Sequence, residues 1–237
     1  PVHLFGNCCE MDILQNICKS NNIKLIEDCA QSFGSSYNGK KLGTFGDTSC
    51  FSFYPTKILS TYGDGGMIVC NNESSYEKLK RMRFHGIDRS KGYYTIEDAR
   101  LTMNSRLDEI HASILRYKLK SVDKLIENRN KIAYYYFNNI RLNGISFHPH
   151  KKNTVYYNFV VRHKRRDEII EYAKSKGVYF NINYPYPIHQ MKGYSFLKKQ
   201  KLKNTEIFSK EIFNLPIFPS LKKSEMKKII KVLNNFK

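Results

Sequence analysis

Cysteine stops at residue 70. The six present, Cys8, Cys9, Cys18, Cys29, Cys50 and Cys70, all fall in the first third of the 237 residues, with no Cys-x-x-Cys pair and no histidines beside them at metal-ligand spacing. That pattern argues against a zinc site, a thioredoxin-like motif and a disulfide framework, and no metal is expected. Several sit in apolar runs such as "MIVC" and "TSCFSF", where cysteine acts as a small hydrophobe, so reduced, buried thiols in a cytoplasmic protein are expected. No apolar run reaches the roughly 20 residues that cross a bilayer. The opening "PVHLFG" lacks a charged stretch followed by a long apolar one, so neither a membrane span nor an export signal is expected. Acid is scarce as well: 21 Asp and Glu stand against 40 Lys and Arg, a net charge of +19. Such a field attracts nucleic acid, anionic lipid or a phosphorylated substrate. The basic residues are nevertheless interleaved with apolar ones in "EKLKRMR" and "EMKKIIKVLNNFK", the pattern of solvated helix faces, and no nucleic-acid motif accompanies them. Internal repeats, a Walker pattern and a dinucleotide fingerprint are all missing.

What is there supports one sizeable core or two modest ones, with 41% hydrophobic and 14% aromatic residues. Helix-period spacing from Met11 is followed by a polar break at Ser20-Asn21-Asn22 and a short strand, Ile23 to Ile26. "DTSCFSFYP" and "GGMIVCN" read as further strands, and "NESSYEKLKRMRFHG" as a capped basic helix. Strands alternating with helices imply a largely parallel α/β sheet. The helical pattern from Leu107 to about Asn139 is too long for one ordinary helix and is expected to break near Ser121-Val122. Beyond Gly144 the texture changes. "VYYNFVVRH" reads as a strand, "RRDEIIEYAKSKG" as a helix closed by Gly177, "VYFNINYPYPIH" as a strand entering a proline-rich turn, and "SEMKKIIKVLNNF" as an amphipathic helix opening on a Ser cap. A boundary near residue 120 therefore separates a first domain, 1–120, from a bridging helix and smaller α+β domain, 121–237.

Asp28 follows an apolar strand and Lys57 follows the next one, so both are expected at strand carboxyl ends, the rim where open α/β sheets bind ligands. A carboxylate and an amine meeting there suit pyridoxal phosphate, whose aldehyde needs a lysine and whose ring nitrogen needs an acid partner. Desolvation would also lower the lysine pKa from about 10.4 towards a nucleophile's range. Taken alone, Lys57 is an ordinary turn lysine. The "GDGG" stretch after it reads as a turn whose glycines permit positive φ and close backbone approach.

The block "IEDCAQSFGSSYNGKKLGTFGDTSCFSFYPTKILSTYGDGGMIVCNN" resembles the central motifs of the DegT/DnrJ/EryC1/StrS nucleotide-sugar aminotransferases, pyridoxal phosphate enzymes of fold type I. "PVHLFGNCCEMD", "RFHG", "NSRLDEIHASIL", "NYPYPIHQ" and "LPIFPSL" resemble further family segments in the family's order. The resemblance implies that Lys57 forms the Schiff base and that Asp28 pairs with the pyridine nitrogen. It implies that Gln31 lies near the ring hydroxyl, Ala30 packs on a ring face and Ser52 binds the phosphate. Asn104 is implied to reach the cofactor phosphate of a second subunit in a homodimer, and His85, Tyr184 and His189 to line the sugar pocket. The residues alone read more plainly: Asn104-Ser105 as a helix cap, Arg106 as an ion-pair partner, the histidines as structural. Departures are His111 for a usual Gln, Ile58-Leu59 for Asn-Leu, and Asn183 for a His before "YP". Family members also carry an upstream stretch with a Gly-Thr/Ser turn and an aromatic residue, so the large domain is expected to be N-terminally truncated here. The implied activity is transfer of an amino group from glutamate to a nucleotide-linked keto-deoxysugar, of the dTDP-3-keto-6-deoxy class by the form of "NSRLD". The rival readings are a truncated, inactive family member and, more remotely, a basic nucleic-acid-binding protein. Neither nucleic acid nor membrane is the expected partner.

Overall fold

A computed structural model describes residues 1–88, 90, 95–96, 102–148, 153–196 and 201–237. These fall into two compact units, Pro1–Asp123 and Lys124–Lys237.

The first unit opens with helix α1 (Met11–Ser20), whose Met11, Leu14 and Cys18 lie on one face and pack with Leu25, Cys29 and Leu42. Strand β1 (Ile26–Asp28) follows, then the short hairpin β2 (Ser36–Tyr37) and β3 (Lys40–Lys41), and β4 (Thr48–Ser52) and β5 (Gly66–Cys70). β1 and β4 pair in parallel, with Asp28 opposite Cys50, while β4 and β5 pair antiparallel. The antiparallel pair departs from the largely parallel expectation for a physical reason: no helix crossover lies between Ser52 and Gly66, and a parallel pair needs one. β1 also begins three residues later than the sequence suggests. The N–H of Leu25 donates to the Asp47 carboxylate (2.9 Å) and its carbonyl accepts from Asp47 N–H (2.8 Å), while Ile23 N–H donates to Cys18 O in α1 (2.8 Å), so these residues are bonded outside the ladder.

Helix α2 (Glu73–Met82) is capped by Asn72, whose side chain accepts from Ser75 N–H (2.7 Å). A two-residue ladder, β6 (Ile87–Asp88) with β7 (Thr95–Ile96), precedes α3 (Glu109–Leu119). The long helical pattern breaks before α4 (Val122–Asn139). Asn104 is no helix cap. It bridges to Phe84 and its Oδ1 accepts from Arg106 Nε (2.9 Å), and the Arg106 guanidinium lies 4.6 Å from the Phe84 ring centre, stacked where an ion pair was expected.

In the second unit β8 (Ser146–Phe147), β9 (Phe159–Arg162) and β10 (Ile212–Leu215) form an antiparallel sheet in the order β10-β9-β8. It shares a core with residues of α4, α5 (Arg166–Ser175) and α7 (Lys223–Asn234), including Tyr136, Phe159, Phe213, Ile169 and Leu233; α6 (Lys203–Glu211) leads directly into β10. Buried Arg129 donates to the carbonyls of Ile217 (2.8 Å) and Tyr156 (3.2 Å), fixing two loops to α4. The strand expected to run from Val178 into the proline-rich turn is reduced to one bridge, Asn181 to Asn214, while the turn itself follows with Tyr184 at φ +62° and with Pro185 and Pro187, which lack N–H donors. Helix α7 starts one residue before the expected cap Ser224, and Glu225 accepts the Lys222 N–H (2.7 Å) instead. Of the cysteines only Cys29 is buried; all six are free thiols, the other five half-buried.

Candidate cofactor site

Parallel pairing puts the carboxyl ends of β1 and β4 on one rim. Asp28 ends β1 and Ser52 ends β4. Because Asp28 faces Cys50 in the register and side chains alternate, Asp28, Cys50 and Ser52 share one face of the sheet, with about 8 Å between the α-carbons of Asp28 and Ser52 by ideal strand geometry. The Cys50 thiol is pushed up by burial and by the charge of Asp28, as that placement requires. One Asp28 oxygen accepts from Ala30 N–H (3.0 Å), holding the carboxylate at the strand end. Gln31 Oε1 accepts from Phe5 N–H (2.7 Å), which fixes the side chain beside residues 4–6. Ser52 Oγ accepts from Tyr54 N–H (3.3 Å).

Lys57 sits in the turn after β4, its N–H donating to Tyr54 O (2.9 Å). The turn is rigid for identifiable reasons. Ile58, Leu59 and Thr61 are buried behind it, Thr61 N–H donates to Phe53 O, and Phe53 N–H donates to Gly65 O. From α3, Lys118 Nζ donates to Ser60 O (2.6 Å), and the His111 ring packs so closely on Gly63 that an added Cβ would lie 2.9 Å from it. Gly63, Gly65 and Gly66 thus answer to close approach; none has positive φ, contrary to the sequence reading. Sequence reasoning named His111 only as a departure and missed Lys118. The signal was their seven-residue spacing, two turns apart on one helix face.

Behind the rim, Glu27 points to the opposite, covered face and is fully buried. Its carboxylate accepts from the N–H groups of Phe45 (2.7 Å), Gly46 (2.7 Å) and Gly43 (2.8 Å), with His3 Nε2 at 3.2 Å. His3 Nδ1 accepts from Cys9 N–H, so Nε2 carries the proton given to Glu27. The donor atoms of His3, Glu27 and Cys29 lie within 4.8 Å of one another. Glu27's lone pairs are nevertheless all engaged, which makes this a hydrogen-bonded strut holding β1 against loop 43–46. Burial alone would raise the Glu27 pKa; His3 and the three backbone donors outweigh it and hold the pKa below the usual 4.5. Glu27→Gln is therefore expected to lose about 2–4 kcal/mol at pH 7, measured by urea unfolding, because an amide cannot accept four donors. The native contribution is complete above pH 4.5, the ordinary glutamate value, and disappears as pH falls through the depressed folded-state value, so the deficit of the variant shrinks on acidification.

His85 and Asn104 form a second group in the first unit. His85 (φ +56°) is exposed, with its N–H on Met103 O (3.1 Å) next to the Phe84–Asn104 bridge. Tyr184 and His189 belong to the second unit. Tyr184 is exposed, whereas His189 Nε2 is 3.1 Å from Glu206 Oε1, a contact that lowers the Glu206 pKa and gives His189 a structural anchor.

Residues 1–234 match the DegT/DnrJ/EryC1/StrS aminotransferase family. The chain belongs to that family. A dTDP-3-amino-3,4,6-trideoxy-alpha-D-glucose transaminase of Micromonospora megalomicea subsp. nigra is 39% identical over 230 residues, 93% of this chain and 60% of that protein. A dTDP-3-amino-3,6-dideoxy-alpha-D-galactopyranose transaminase of Aneurinibacillus thermoaerophilus is 36% identical over 99% of this chain and 64% of its own length. The crystal structure of S. venezuelae DesV in complex with a ketimine intermediate is similar at TM-score 0.89 and 30% identity, over 99% of this chain and 63% of that one. This DegT/DnrJ family chain thus spans less than two thirds of the length of these relatives. Its fold is that of the family's aminotransferases, fold type I.

Proposed function

We propose that the protein carrying this chain is a pyridoxal phosphate-dependent aminotransferase that moves an amino group from glutamate to a nucleotide-linked keto-deoxysugar, of the dTDP-3-keto-6-deoxy class. The observation that carries this reading is the sharing of one sheet face by Asp28 and Ser52, with the turn of Lys57 rising from the end of the same strand as Ser52. The donor set fits the cofactor: an amine, a carboxylate and a hydroxyl around a rim with small Cys50 between the last two. When bound, pyridoxal phosphate supplies an electron sink for the carbanion of amino-group transfer.

Lys57 Nζ would hold the cofactor through its aldehyde and would serve as the base that carries the proton to and from the substrate carbon. Asp28 holds a proton on the ring nitrogen, and Ser52 Oγ donates to the phosphate. The Gln31 amide donates to the ring hydroxyl, and Ala30 is small enough to let a flat ring lie against the strand end. Asn104 serves the phosphate of a partner subunit in a homodimer, and the family resemblance assigns His85, Tyr184 and His189 to sugar binding. The names of the two curated relatives support a 3-amino product.

One observation favours a second reading, a chain that binds cofactor without turnover on its own. On the Asp28 face Ile26 is 57% and Ile68 52% exposed, so water is not excluded there. The two readings separate in a visible-absorbance titration with pyridoxal phosphate followed by glutamate. A new band that glutamate converts supports the enzyme; a band that glutamate leaves unchanged supports the second reading. A spectrum identical in wild type and Lys57→Ala contradicts both.

A further inference from the structure

The positive charge is unevenly divided. Pro1–Asp123 holds 16 Lys and Arg against 14 Asp and Glu, a net +2, whereas Lys124–Lys237 holds 24 against 7, a net +17. Six of those seven carboxylates are engaged: Glu127 with Lys131, Asp167 with Arg166, Glu168 with Arg165, Glu206 with His189, Glu211 with Arg162, and Glu225 with the backbone at the start of α7. Helix α7 buries Ile229, Ile230, Val232 and Leu233 in the unit's core. On its opposite face Lys223, Lys227 and Lys231 are exposed in one row, about 6 Å apart along the axis. Like charges at this spacing repel, so the row weakens the helix that carries it. Lys228 Nζ donates to Gly177 O (3.2 Å), which joins the exposed Lys174 and Lys176 at the end of α5 to the same cluster.

We propose that this α5–α7 face adsorbs to an anionic phospholipid surface. The cluster is all lysine, without an arginine fork or an exposed aromatic side chain on α7, the groups with which proteins grip nucleic-acid bases and phosphates. Hydrated point charges on flexible stems match the diffuse field of a headgroup layer. The apolar side of α7 is committed to the core, so contact is electrostatic, without insertion, and reversible by salt. The sequence reading expected no membrane partner because no run spans a bilayer, and no described helix is long and apolar enough to cross one. Adsorption at headgroup level needs no such run. The proposal is independent of the chemistry at Lys57.

The test is co-sedimentation of the full chain with phosphatidylglycerol-containing vesicles and with pure phosphatidylcholine vesicles, at about 50 mM and about 500 mM salt. Binding is expected to the anionic vesicles at low salt only. A Lys223→Gln, Lys227→Gln, Lys231→Gln triple variant is expected to lower the partition coefficient about a hundredfold. A Lys192→Gln, Lys203→Gln, Lys210→Gln triple variant, which removes the same charge elsewhere in the unit, is expected to change it only severalfold. All six lysines are exposed, so folding is not at stake, and circular dichroism verifies it. Equal losses in the two triples, an α7 triple that binds like wild type, binding to neutral vesicles, or preferential binding of a single-stranded oligonucleotide would each overturn the proposal.

Discussion

Lys57→Ala is expected to lower the rate of amino-group transfer by on the order of ten-thousandfold, followed as single-turnover conversion of bound cofactor by glutamate. On the proposed function two losses coincide in one side chain: the covalent hold on the aldehyde and the base that moves the proton between carbons. The turn that carries it should not change. Its geometry comes from buried Ile58, Leu59 and Thr61 and from the two backbone bonds to Phe53, none of which involves the Lys57 side chain. Unfolding midpoints within a degree or two of wild type are therefore expected, and an added small amine should restore part of the rate. A variant that keeps more than a tenth of the wild-type rate would move the reacting lysine elsewhere.

Asp28→Ala is expected to act differently. The covalent attachment at Lys57 stays, while the rate falls roughly 10²- to 10³-fold, because the positive ring nitrogen that draws electrons from the reacting carbon loses its fixed counter-charge. Removing the carboxylate also frees Ala30 N–H, whose bond to Asp28 anchors the strand end, so Asp28→Asn is the cleaner companion. The asparagine keeps an acceptor for Ala30 and removes only the charge. Equal damage in Asn and Ala variants assigns the effect to charge; a nearly normal Asn variant would assign it to backbone support and remove Asp28 from the proton on the ring.

Particular residues explain how much of this was legible in the sequence. Asp28 and Lys57 were visible because each follows an apolar strand pattern, and strand ends are where a parallel pair exposes its rim. That β1 and β4 are neighbours, and that Ser52 falls on the Asp28 face, depends on register, which no local pattern encodes. The hairpin at Asn38-Gly39 has its signal in the Asn-Gly pair itself, which suits the two adjacent positive φ values of 48° and 82° that the turn adopts. The strand expected from Ile23 begins only at Ile26 because the Asp47 side chain, more than 20 residues away, competes for the Leu25 backbone. Glu27 carries no signal of its own in the sequence; only the return of loop 43–46 makes it a buried acceptor of four donors. The concentration of charge in the second unit was countable from the sequence, because the boundary expected near residue 120 lies within three residues of the one between the two compact units.

The claim on which the functional reading rests is that one amine among many is selected by its position. The most direct measurement is borohydride reduction of the protein with stoichiometric pyridoxal phosphate, then proteolysis and mass mapping of the modified lysines. A single stoichiometric pyridoxyl adduct on the peptide containing Lys57 is predicted. Labelling spread across the exposed lysines, or concentrated on another one, would contradict it.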